Sequence, residues 1–502
     1  MNDKPIVNSD QNSKPVVDLV GAGCHDASWL TAAAKEAIAR ADIVIYDDLV
    51  DESIVNCAHP KAQRIYRGKR GHLVSADQRE INQLLVDEAL DGKKVVRLKG
   101  GDPMIFGRGM EEVEFLEAHG ISVRVLPGIS SFYGIPSKEA FGLTKRAQAA
   151  GFMVLTAHNA KQPRTRTEWK QIAGFQGTLV FLMGMADLDS IRQNLIEAGL
   201  DPQTPCAIFT SPVFTMTTSI KTSLGLLAKS AEENRLKSPG IIVIGGSVAS
   251  YSPLNPIRIA LGGSEDFNAK LSALLPPDMQ SASLLRYEYT DFEIDLSAIL
   301  DDHPDWLVFT SPHGADRFLS LLSEEHRDLR SLASMRIACI GKGTARRFEQ
   351  ALIIPDLVAS GSDSAFLALE LANQVKDGDH VVLMQSQKAL PTLRDQLAKR
   401  TDVKTDFVAL YDFACRPGRA LEADLEYDYL VLPSRTAAKC WSSLRKRPRV
   451  KTIIALSEAI ASLVSDLDSE VLISPHPQAQ EVARLLITDA LSKEKSESSP
   501  TA

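Results

Sequence analysis

The feature that most constrains this chain is a regular alternation of short β-branched runs with longer helical patterns. Helical stretches at Ala32–Arg40, Gln78–Leu90 and Glu111–His119 separate apolar runs that are typical of buried strands. This alternation predicts an α/β architecture with largely parallel sheets. The predicted strands of the first half are Val16–Val20, Ile43–Tyr46, Val95–Leu98, Val123–Leu126, Met153–Thr156, Leu179–Met183 and Ile241–Gly245.

The alternation stops at a segment rich in glycine, serine and proline and then starts again. Such a segment is typical of a linker, and 502 residues suffice for two to four domains of about 100–200 residues each. We predict domains at 16–250 and 257–490, a linker at 251–256, and disordered ends at 1–15 and 491–502. The predicted strands of the second half are Ile257–Leu261, Trp306–Thr310, Arg336–Ile340, His380–Met384, Tyr429–Pro433 and Thr452–Leu456.

The composition argues against nucleic-acid and membrane partners. Residues 1–250 carry 28 basic and 28 acidic residues, so the net charge of −8 falls on the second half and neither half is basic. No apolar run approaches the roughly 20 residues that a membrane helix needs. The polar N-terminus lacks the apolar segment of a secretory signal. We therefore expect a cytoplasmic protein.

The cysteines are scattered along the chain and form no Cys-x-x-Cys motif. This pattern disfavours a zinc site and a disulfide framework, and it suits a reducing compartment. We expect no bound metal. The six cysteines are Cys24, Cys57, Cys206, Cys339, Cys415 and Cys440.

A Gly-x-Gly turn follows the first predicted strand. Gly21 and Gly23 would let the backbone approach a ligand closely. A dinucleotide-binding fingerprint would place a third glycine at the position of Asp26, although Asp47 lies near the position of a ribose-binding carboxylate. A tight structural turn explains this glycine pair equally well.

Charged residues gather in two further turns of the first half. Gly100, Gly101 and Asp102 end a strand and could hold a ribose or an amine against bare backbone. Arg108 and Glu111 are three residues apart and share a helix face, although a solvated ion pair would show the same spacing.

A carboxylate and a lysine follow the predicted strand Ile43–Tyr46. Asp47 could act as a general base, and Lys69 could tune it or donate a proton. The alternatives are a helix cap for the carboxylate and a surface basic turn for the lysine.

These pieces, in this order, resemble uroporphyrinogen-III C-methyltransferase over about residues 16–250. The resemblance implies a two-lobed tetrapyrrole methylase fold, a homodimer through this domain, and S-adenosylmethionine as the methyl donor. The matching motifs are Gly21-Ala22-Gly23, Tyr46-Asp47-Asp48-Leu49-Val50, Gly68-Lys69-Arg70, Arg97-Leu98-Lys99-Gly100-Gly101-Asp102-Pro103, Phe106-Gly107-Arg108-Gly109, Pro127-Gly128-Ile129-Ser130-Ser131 and Leu143-Thr144-Lys145-Arg146.

The same resemblance implies roles for single residues. Asp47 matches a proton acceptor, Lys69 a proton donor, and Arg108 a catalytic residue that holds the tetrapyrrole together with Glu111 and Arg146. The residues that would surround S-adenosylmethionine are Gly23, Cys24, Gly100, Gly101, Asp102, Ile105, Ser130, Ser131, Met183 and Pro212.

The chain departs from the family's pattern at the donor site. Cys24 and His25 replace proline and glycine, Lys145 replaces histidine, and Pro212 stands where glycine is usual. A divergent but working methyltransferase and a decayed one both fit these changes.

In the second half, hydroxyl and glycine residues fall directly after predicted strands. Backbone N–H groups and hydroxyls at such ends can bind carboxylates, and ordinary helix capping is the simpler explanation for each one alone. The residues are Thr310, Ser311, Gly341, Thr344 and Ser434.

Together with Trp306–Ala315 and Gly341–Ala345, this pattern resembles uroporphyrinogen-III synthase over about residues 256–490. The resemblance implies two flavodoxin-like lobes, one formed by 257–288 and 414–490 and the other by 292–407. Hydroxymethylbilane would bind between them, held by Thr310, Ser311, Gly341, Thr344 and Ser434.

Tyr411 is the side chain that we expect to assist departure of the terminal hydroxyl of hydroxymethylbilane. A strand-end aromatic with its hydroxyl in solvent is equally compatible with the sequence.

The sequence thus predicts a bifunctional enzyme that closes hydroxymethylbilane to uroporphyrinogen III and methylates that product twice to precorrin-2. One alternative is a methyltransferase of a later corrin precursor. In that case the second half is a non-catalytic module that binds tetrapyrroles. This alternative is favoured by the small number of anion-binding residues and by the added negative charge of Glu458.

Overall fold

The computed structural model describes residues 15–68, 78–157, 164–360, 364–400, 402–422, 425–465 and 468–497. Within these ranges, no helix combines the length and the apolar character needed to cross a membrane.

The first sheet has five parallel strands in the order β3-β2-β4-β1-β5. Its central strand β4 is buried along its whole length, as expected for a parallel strand covered on both faces. The elements in chain order are β1 Val16–Gly21, α1 Ala32–Ala39, β2 Ile43–Tyr46, α2 Glu52–Val55, β3 Gln63–Tyr66, α3 Gln78–Leu90, β4 Val95–Lys99, α4 Gly109–Ala118, β5 Ser122–Leu126 and α5 Ser131–Lys138.

The second sheet is mixed and is the exception to the expected, largely parallel pattern. Its order is β6-β7-β10-β8-β9, and only the first pair is parallel. Strand β10 runs antiparallel to both β7 and β8, and β8 and β9 form an antiparallel hairpin that the sequence did not predict. The elements are β6 Phe152–Thr156, α6 Arg166–Ala173, β7 Thr178–Leu182, α7 Leu188–Glu197, β8 Pro205–Val213, β9 Met216–Ser223, α8 Leu227–Glu233 and β10 Gly240–Ile244.

The second half forms two more sheets, as the predicted two lobes require. One has the order β12-β11-β19-β20-β21 and the other β13-β18-β17-β14-β15-β16. The elements are β11 Ile257–Leu261, α9 Glu265–Ser272, β12 Met279–Ser283, β13 Leu285–Asp291, α10 Leu296–Asp301, β14 Trp306–Phe309, α11 Pro312–Glu324, β15 Arg336–Cys339, α12 Lys342–Gln350, β16 Leu357–Val358, α13 Ser364–Ala372, β17 His380–Ser386, α14 Thr392–Leu397, β18 Lys404–Pro417, α15 Arg419–Glu422, β19 Tyr427–Leu432, α16 Arg435–Ser443, β20 Val450–Ala455, α17 Glu458–Ala461, β21 Glu470–Ile473 and α18 Ala479–Glu497.

The two lobes are connected by the antiparallel pair of β13 and β18. Leu285 faces Pro417 at one end of this pair, and Asp291 faces Tyr411 at the other. Tyr411 therefore lies inside a fourteen-residue strand and not at a strand end.

Two expectations about the second half are overturned. Cys415 and Cys440 form a disulfide with their Cα atoms 6.3 Å apart, because β18 and α16 bring together two cysteines that are distant in sequence. The predicted disordered tail is helical as far as Glu497. Lys493, in the last turns of α18, contacts Glu470 at 2.7 Å and Asp489 at 2.8 Å and so fixes the helix to β21. The predicted disordered N-terminus lies, apart from Pro15, outside the described residues.

The β8–β9 hairpin of the first half docks onto strand β12 of the second. Met216 is only 2% exposed and belongs to the apolar core of the β11-containing sheet. Beside it, the backbone N–H of Thr217 donates to Gln280 Oε1 at 2.8 Å, and Gln280 Nε2 donates to the buried carboxylate of Glu139 at 3.3 Å. The two halves thus contact each other through a buried apolar side chain and hydrogen bonds of buried polar groups.

Replacing Met216 by alanine should lower the free energy of unfolding by about 2–5 kcal/mol, because a cavity opens in a core shared by both halves. Urea unfolding followed by tryptophan fluorescence measures this loss. Met110→Ala is the matched control, since Met110 is exposed. Equal stability of the two variants would contradict the docked arrangement.

Candidate active sites

The carboxyl ends of β1, β4 and β5 meet at one edge of the first sheet. Gly23 and Gly101 exchange two backbone hydrogen bonds, with N···O distances of 3.0 and 2.7 Å. A Cβ on Gly21 would lie 2.4 Å from the backbone nitrogen of Gly128, and a Cβ on Gly128 would lie 2.3 Å from the carbonyl oxygen of Gly101. The glycines are therefore required by contacts between the turns, as the structural explanation of the motif predicts, and they leave a surface of bare backbone.

Asp102 fixes the loop that follows this surface. Its Oδ1 accepts the N–H of Met104 at 2.9 Å, and its Oδ2 accepts the N–H of Gly128 at 3.2 Å. The loop then presents an exposed apolar patch beside the charged pair of Arg108 and Glu111. The patch consists of Met104, Ile105, Phe106 and Met110.

The predicted pairing of Arg108 with Glu111 is present. Arg108 Nε donates to Glu111 Oε1 at 2.9 Å, and both side chains are more than half exposed, as in the solvated pair considered above. Arg146 is likewise exposed. Lys145 donates a hydrogen bond to the hydroxyl of Ser250.

Asp47 stands at the edge of a buried charge cluster. Its Oδ2 lies 3.2 Å from Nη2 of the buried Arg97, and its Oδ1 accepts the N–H of Leu49 at 3.1 Å. Deeper in, Lys99 Nζ lies 2.6 Å from Oε1 of the fully buried Glu112, and burial lowers the pKa of this lysine. Sequence reasoning missed Glu112, although two basic residues at alternate positions of a buried strand call for a buried carboxylate. Lys69 lies outside the described residues.

The residues predicted to surround the methyl donor differ in how far they are exposed. Ser130 is buried and Ser131 begins α5, whereas Met183 is 56% exposed and has a φ of 55°. Cys24 packs into the apolar core, and burial raises the pKa of its thiol to about 12. Only the backbone of Cys24 is thus available to a cofactor. Pro212 is half-buried in β8.

Lys138 is a half-buried cation that the sequence did not mark. It ends α5 and donates a hydrogen bond to the carbonyl of Thr215 in the β8–β9 turn. Burial lowers the pKa of Lys138 to about 8, and the nearby Asp26 and Glu139 carboxylates oppose this shift.

In the second half, Thr310, Ser311 and Tyr411 lie at the carboxyl edge of β14 and β17, whereas Ser434 follows β19 in the other sheet. Tyr411 and Ser311 share a hydrogen bond of 2.7 Å between their hydroxyl oxygens, and Gln385 Nε2 donates to Thr310 Oγ1 at 3.3 Å. Tyr411 is 4% exposed, so the alternative with its hydroxyl in solvent is wrong. Burial raises the pKa of this phenol, against hydrogen bonds from Ser311 and Ser386.

Helices α11, α12 and α16 each begin directly after the carboxyl end of a strand. Ser311 caps α11 by accepting the N–H of Gly314, and Ser434 caps α16 by accepting the N–H of Ala437 at 3.1 Å. Gly341 precedes α12, and no described atom lies within 4 Å of where a Cβ on it would stand. Thr344, one turn further, is buried. The hydroxyls of Ser311 and Ser434 act as caps, and N–H groups in the first turn of a helix are of the kind that can bind an anion.

One group of side chains has ligand atoms close enough to hold a metal ion. Asp302, His380 and Asp406 offer atoms within 4.8 Å of one another among the described residues. Lys404 Nζ lies 2.6 Å from Asp302 and already balances this charge. The group lies at the amino ends of β17 and β18, away from Ser311 and Tyr411.

Comparison with known proteins assigns a class to each half. The family model of tetrapyrrole (corrin/porphyrin) methylases matches residues 16–225, and that of uroporphyrinogen-III synthase HemD matches residues 280–484. The chain therefore contains a tetrapyrrole methylase domain and a uroporphyrinogen-III synthase domain.

One relative extends across both halves. The porphyrin biosynthesis protein HemD of Ruminiclostridium josui is 30% identical over 414 residues, which cover 79% of this chain and 81% of that protein. The chain belongs to this family of methyltransferase–synthase fusions in tetrapyrrole biosynthesis.

Other similar proteins match one half at a time. Siroheme synthase 2 of Cronobacter sakazakii is 41% identical over 242 residues, and the chain spans about half the length of this relative (51%). Among solved structures, uroporphyrin-III C-methyl transferase of Thermus thermophilus is 34% identical with a TM-score of 0.41, covering 46% of this chain and 98% of that one. A mutant uroporphyrinogen III synthase of the same bacterium is 19% identical with a TM-score of 0.35, covering 47% of this chain and 99% of that one.

Glu112→Gln should lower the free energy of unfolding by about 3–5 kcal/mol, because Lys99 and Arg97 then lack their buried counter-charge. Chemical denaturation measures the loss. Glu114→Gln on the exposed face of the same helix should change it by no more than about 0.5 kcal/mol. A small effect at Glu112 would show that the cluster is open to water.

Lys138 should make stability depend on pH. Between pH 8 and its ordinary pKa of 10.5, the unfolded chain holds a proton on this lysine that the folded chain lacks, so its contribution to stability rises with pH. The unfolding free energy of the wild type minus that of Lys138→Met should therefore increase across this window. A flat difference would mean that the ammonium is hydrated.

Proposed function

We propose that this chain catalyses two consecutive reactions: closure of hydroxymethylbilane to uroporphyrinogen III, and two S-adenosylmethionine-dependent methylations of that product to precorrin-2. The observation that carries the proposal is the match of one relative across both halves. Joining the steps is chemically sensible, because the open chain closes spontaneously to the wrong isomer.

S-adenosylmethionine would bind at the glycine-lined edge of the first sheet and supply an electrophilic methyl group. Gly23, Gly100 and Gly101 present bare backbone there, Asp102 holds the adjoining loop, and Ser130 and Ser131 begin α5 beside it. Ile105, Met183, Pro212 and the backbone of Cys24 would complete the pocket. Turns that are already held in contact can accept an adenosyl moiety without large conformational change, which aligns the reacting carbon.

The tetrapyrrole would lie over the exposed apolar patch of Met104, Ile105, Phe106 and Met110. An exposed patch of this kind, rimmed by charged side chains, is typical of a binding surface. Arg108 and Arg146 would pair with the carboxylates of the macrocycle, with Glu111 orienting Arg108.

Asp47 would accept the proton that leaves the macrocycle after methyl transfer. It is partly exposed, and the guanidinium of Arg97 fixes its orientation. The proton-donating role of Lys69 remains a prediction.

In the synthase domain, the acetate and propionate groups of hydroxymethylbilane would bind the first-turn N–H groups of α11, α12 and α16. These turns contain Ser311, Gly341, Thr344 and Ser434, with Thr310 beside them. Tyr411, which we expected to assist departure of the terminal hydroxyl, is buried and bonded to Ser311 and would instead help to position the substrate. We further propose a cytoplasmic homodimer that is formed through the methyltransferase domain.

The direct test supplies hydroxymethylbilane and S-adenosylmethionine to the full chain. We expect uroporphyrinogen III and then precorrin-2 by chromatography and absorbance. Formation of uroporphyrinogen I alone would overturn the proposal. Turnover of precorrin-2 but not of uroporphyrinogen III would instead support the alternative methyltransferase of a later corrin precursor.

Asp47→Asn should reduce methylation by about 10²–10⁴-fold and leave ring closure unchanged, because only the methylation step uses this base. Methyl transfer from labelled donor, with uroporphyrinogen III supplied, measures the effect. Asp87→Asn, on the exposed face of α3, is the matched control. Equal rates in both variants would remove the role of Asp47.

A further inference from the structure

We propose that His313 is an acid catalyst of the ring-closing reaction, with Asp291 as its positioning residue. The inference rests on the proposed synthase function and names a residue for it that the resemblance does not. It starts from a side-chain cluster at the junction of β13, β18 and α11.

His313 is held on two sides. Its Nε2 lies 2.8 Å from Oδ1 of Asp291, and its ring stacks on Tyr289 with centroids 3.9 Å apart and planes 17° apart. The ring of Tyr411 meets it edge-on at 4.5 Å. A histidine oriented by a carboxylate on one nitrogen has its other nitrogen, here Nδ1, available for proton transfer.

The position of Tyr411 makes it a poor proton donor to a substrate. Its hydroxyl is bonded to Ser311, it is almost fully buried, and burial raises its pKa. The side chain of His313 is 27% exposed at the same edge of the sheet. His313 is thus more accessible than Tyr411, and burial raises the pKa of the neighbouring Tyr289 phenol to about 12, which makes that phenol a poor acid.

Two carboxylates and one guanidinium are the charged groups nearest to His313. The carboxylate of Asp291 from β13 contacts it directly, and the carboxylate of Asp316 follows one turn later on the same helix. Arg317 opposes them, with Nε 4.0 Å from Asp291 Oδ2. The titratable and charged groups that face His313 are Asp291, Tyr289, Tyr411, Asp316 and Arg317.

The proposed step balances in protons and electrons. The C–O bond of the hydroxymethyl group breaks, its electron pair leaves with the oxygen, and the proton from His313 converts that oxygen to water. The lone pair of the adjacent pyrrole nitrogen stabilises the carbon left behind. To give isomer III, the last pyrrole ring attacks through the carbon that already carries its bridging methylene. That older C–C bond then breaks, its electron pair returns to the pyrrole, and the freed methylene carbon bonds to the other α-carbon of the same ring. The proton of this α-carbon leaves and restores the imidazolium, so the reaction consumes no acid overall.

His313→Gln should lower kcat for uroporphyrinogen III formation by about 10²–10⁴-fold. The slower enzyme should also release more uroporphyrinogen I, which forms spontaneously from unused substrate. Methylation of added uroporphyrinogen III should stay at the wild-type rate, which shows that the chain is folded. His476→Gln, an exposed histidine of the other lobe, is the matched control and should behave as wild type.

The pH profile separates acid catalysis from a packing role. In wild type, kcat for ring closure should fall on the alkaline side, as a required imidazolium loses its proton; His313→Gln should lack this limb. Asp291→Asn should keep the fold and lower kcat for ring closure by less than His313→Gln does, because the imidazole remains but is no longer oriented by a carboxylate.

An unchanged kcat, or an alkaline limb that persists in His313→Gln, would overturn this inference while leaving the proposed function intact. Absence of uroporphyrinogen III from the wild-type chain would instead overturn the synthase function itself. The two failures are therefore distinguishable in one series of assays.

Discussion

The first half depends on the close approach of three backbone turns at one edge of its parallel sheet. Gly21, Gly101 and Gly128 meet there, and a Cβ on Gly21 or Gly128 would collide with a neighbouring turn. With the turns in contact, the loop held by Asp102 can present its apolar patch beside Arg108. The same glycines that suggest a ligand are thus required first by the packing of the protein, and the ligand surface is a consequence of that packing.

Charge is distributed differently in the two halves. In the methylase domain a buried cluster of Arg97, Lys99 and Glu112 supports one accessible carboxylate, Asp47. In the synthase domain the hydroxyls of Ser311 and Ser434 cap helices, so the proposed anion-binding groups are backbone N–H groups. Under the proposed function, backbone N–H groups would let a half with a net charge of −8 hold a substrate with many carboxylates.

The docking of the β8–β9 hairpin onto β12 connects the two domains through more than the predicted linker. Met216 enters the apolar core of the second half, and Gln280 joins the backbone of Thr217 to the carboxylate of Glu139. Lys138, which lies beside this carboxylate, bonds the same hairpin from the other side. A segment that contains Pro212, a proposed donor-site residue, is thereby held by both halves.

The sequence by itself determined the α/β class, most strand positions and the two families, because β-branched runs and strand-end glycines are local signals. Only the tertiary structure decided that the second sheet is mixed, that Cys415 meets Cys440, and that Tyr411 is buried. The contacts of Glu112 and His313 could not be predicted from the sequence, for the same physical reason. Their partners, Lys99 and Asp291, lie 13 and 22 residues away, and only the packing of strands against helices brings these charges into contact.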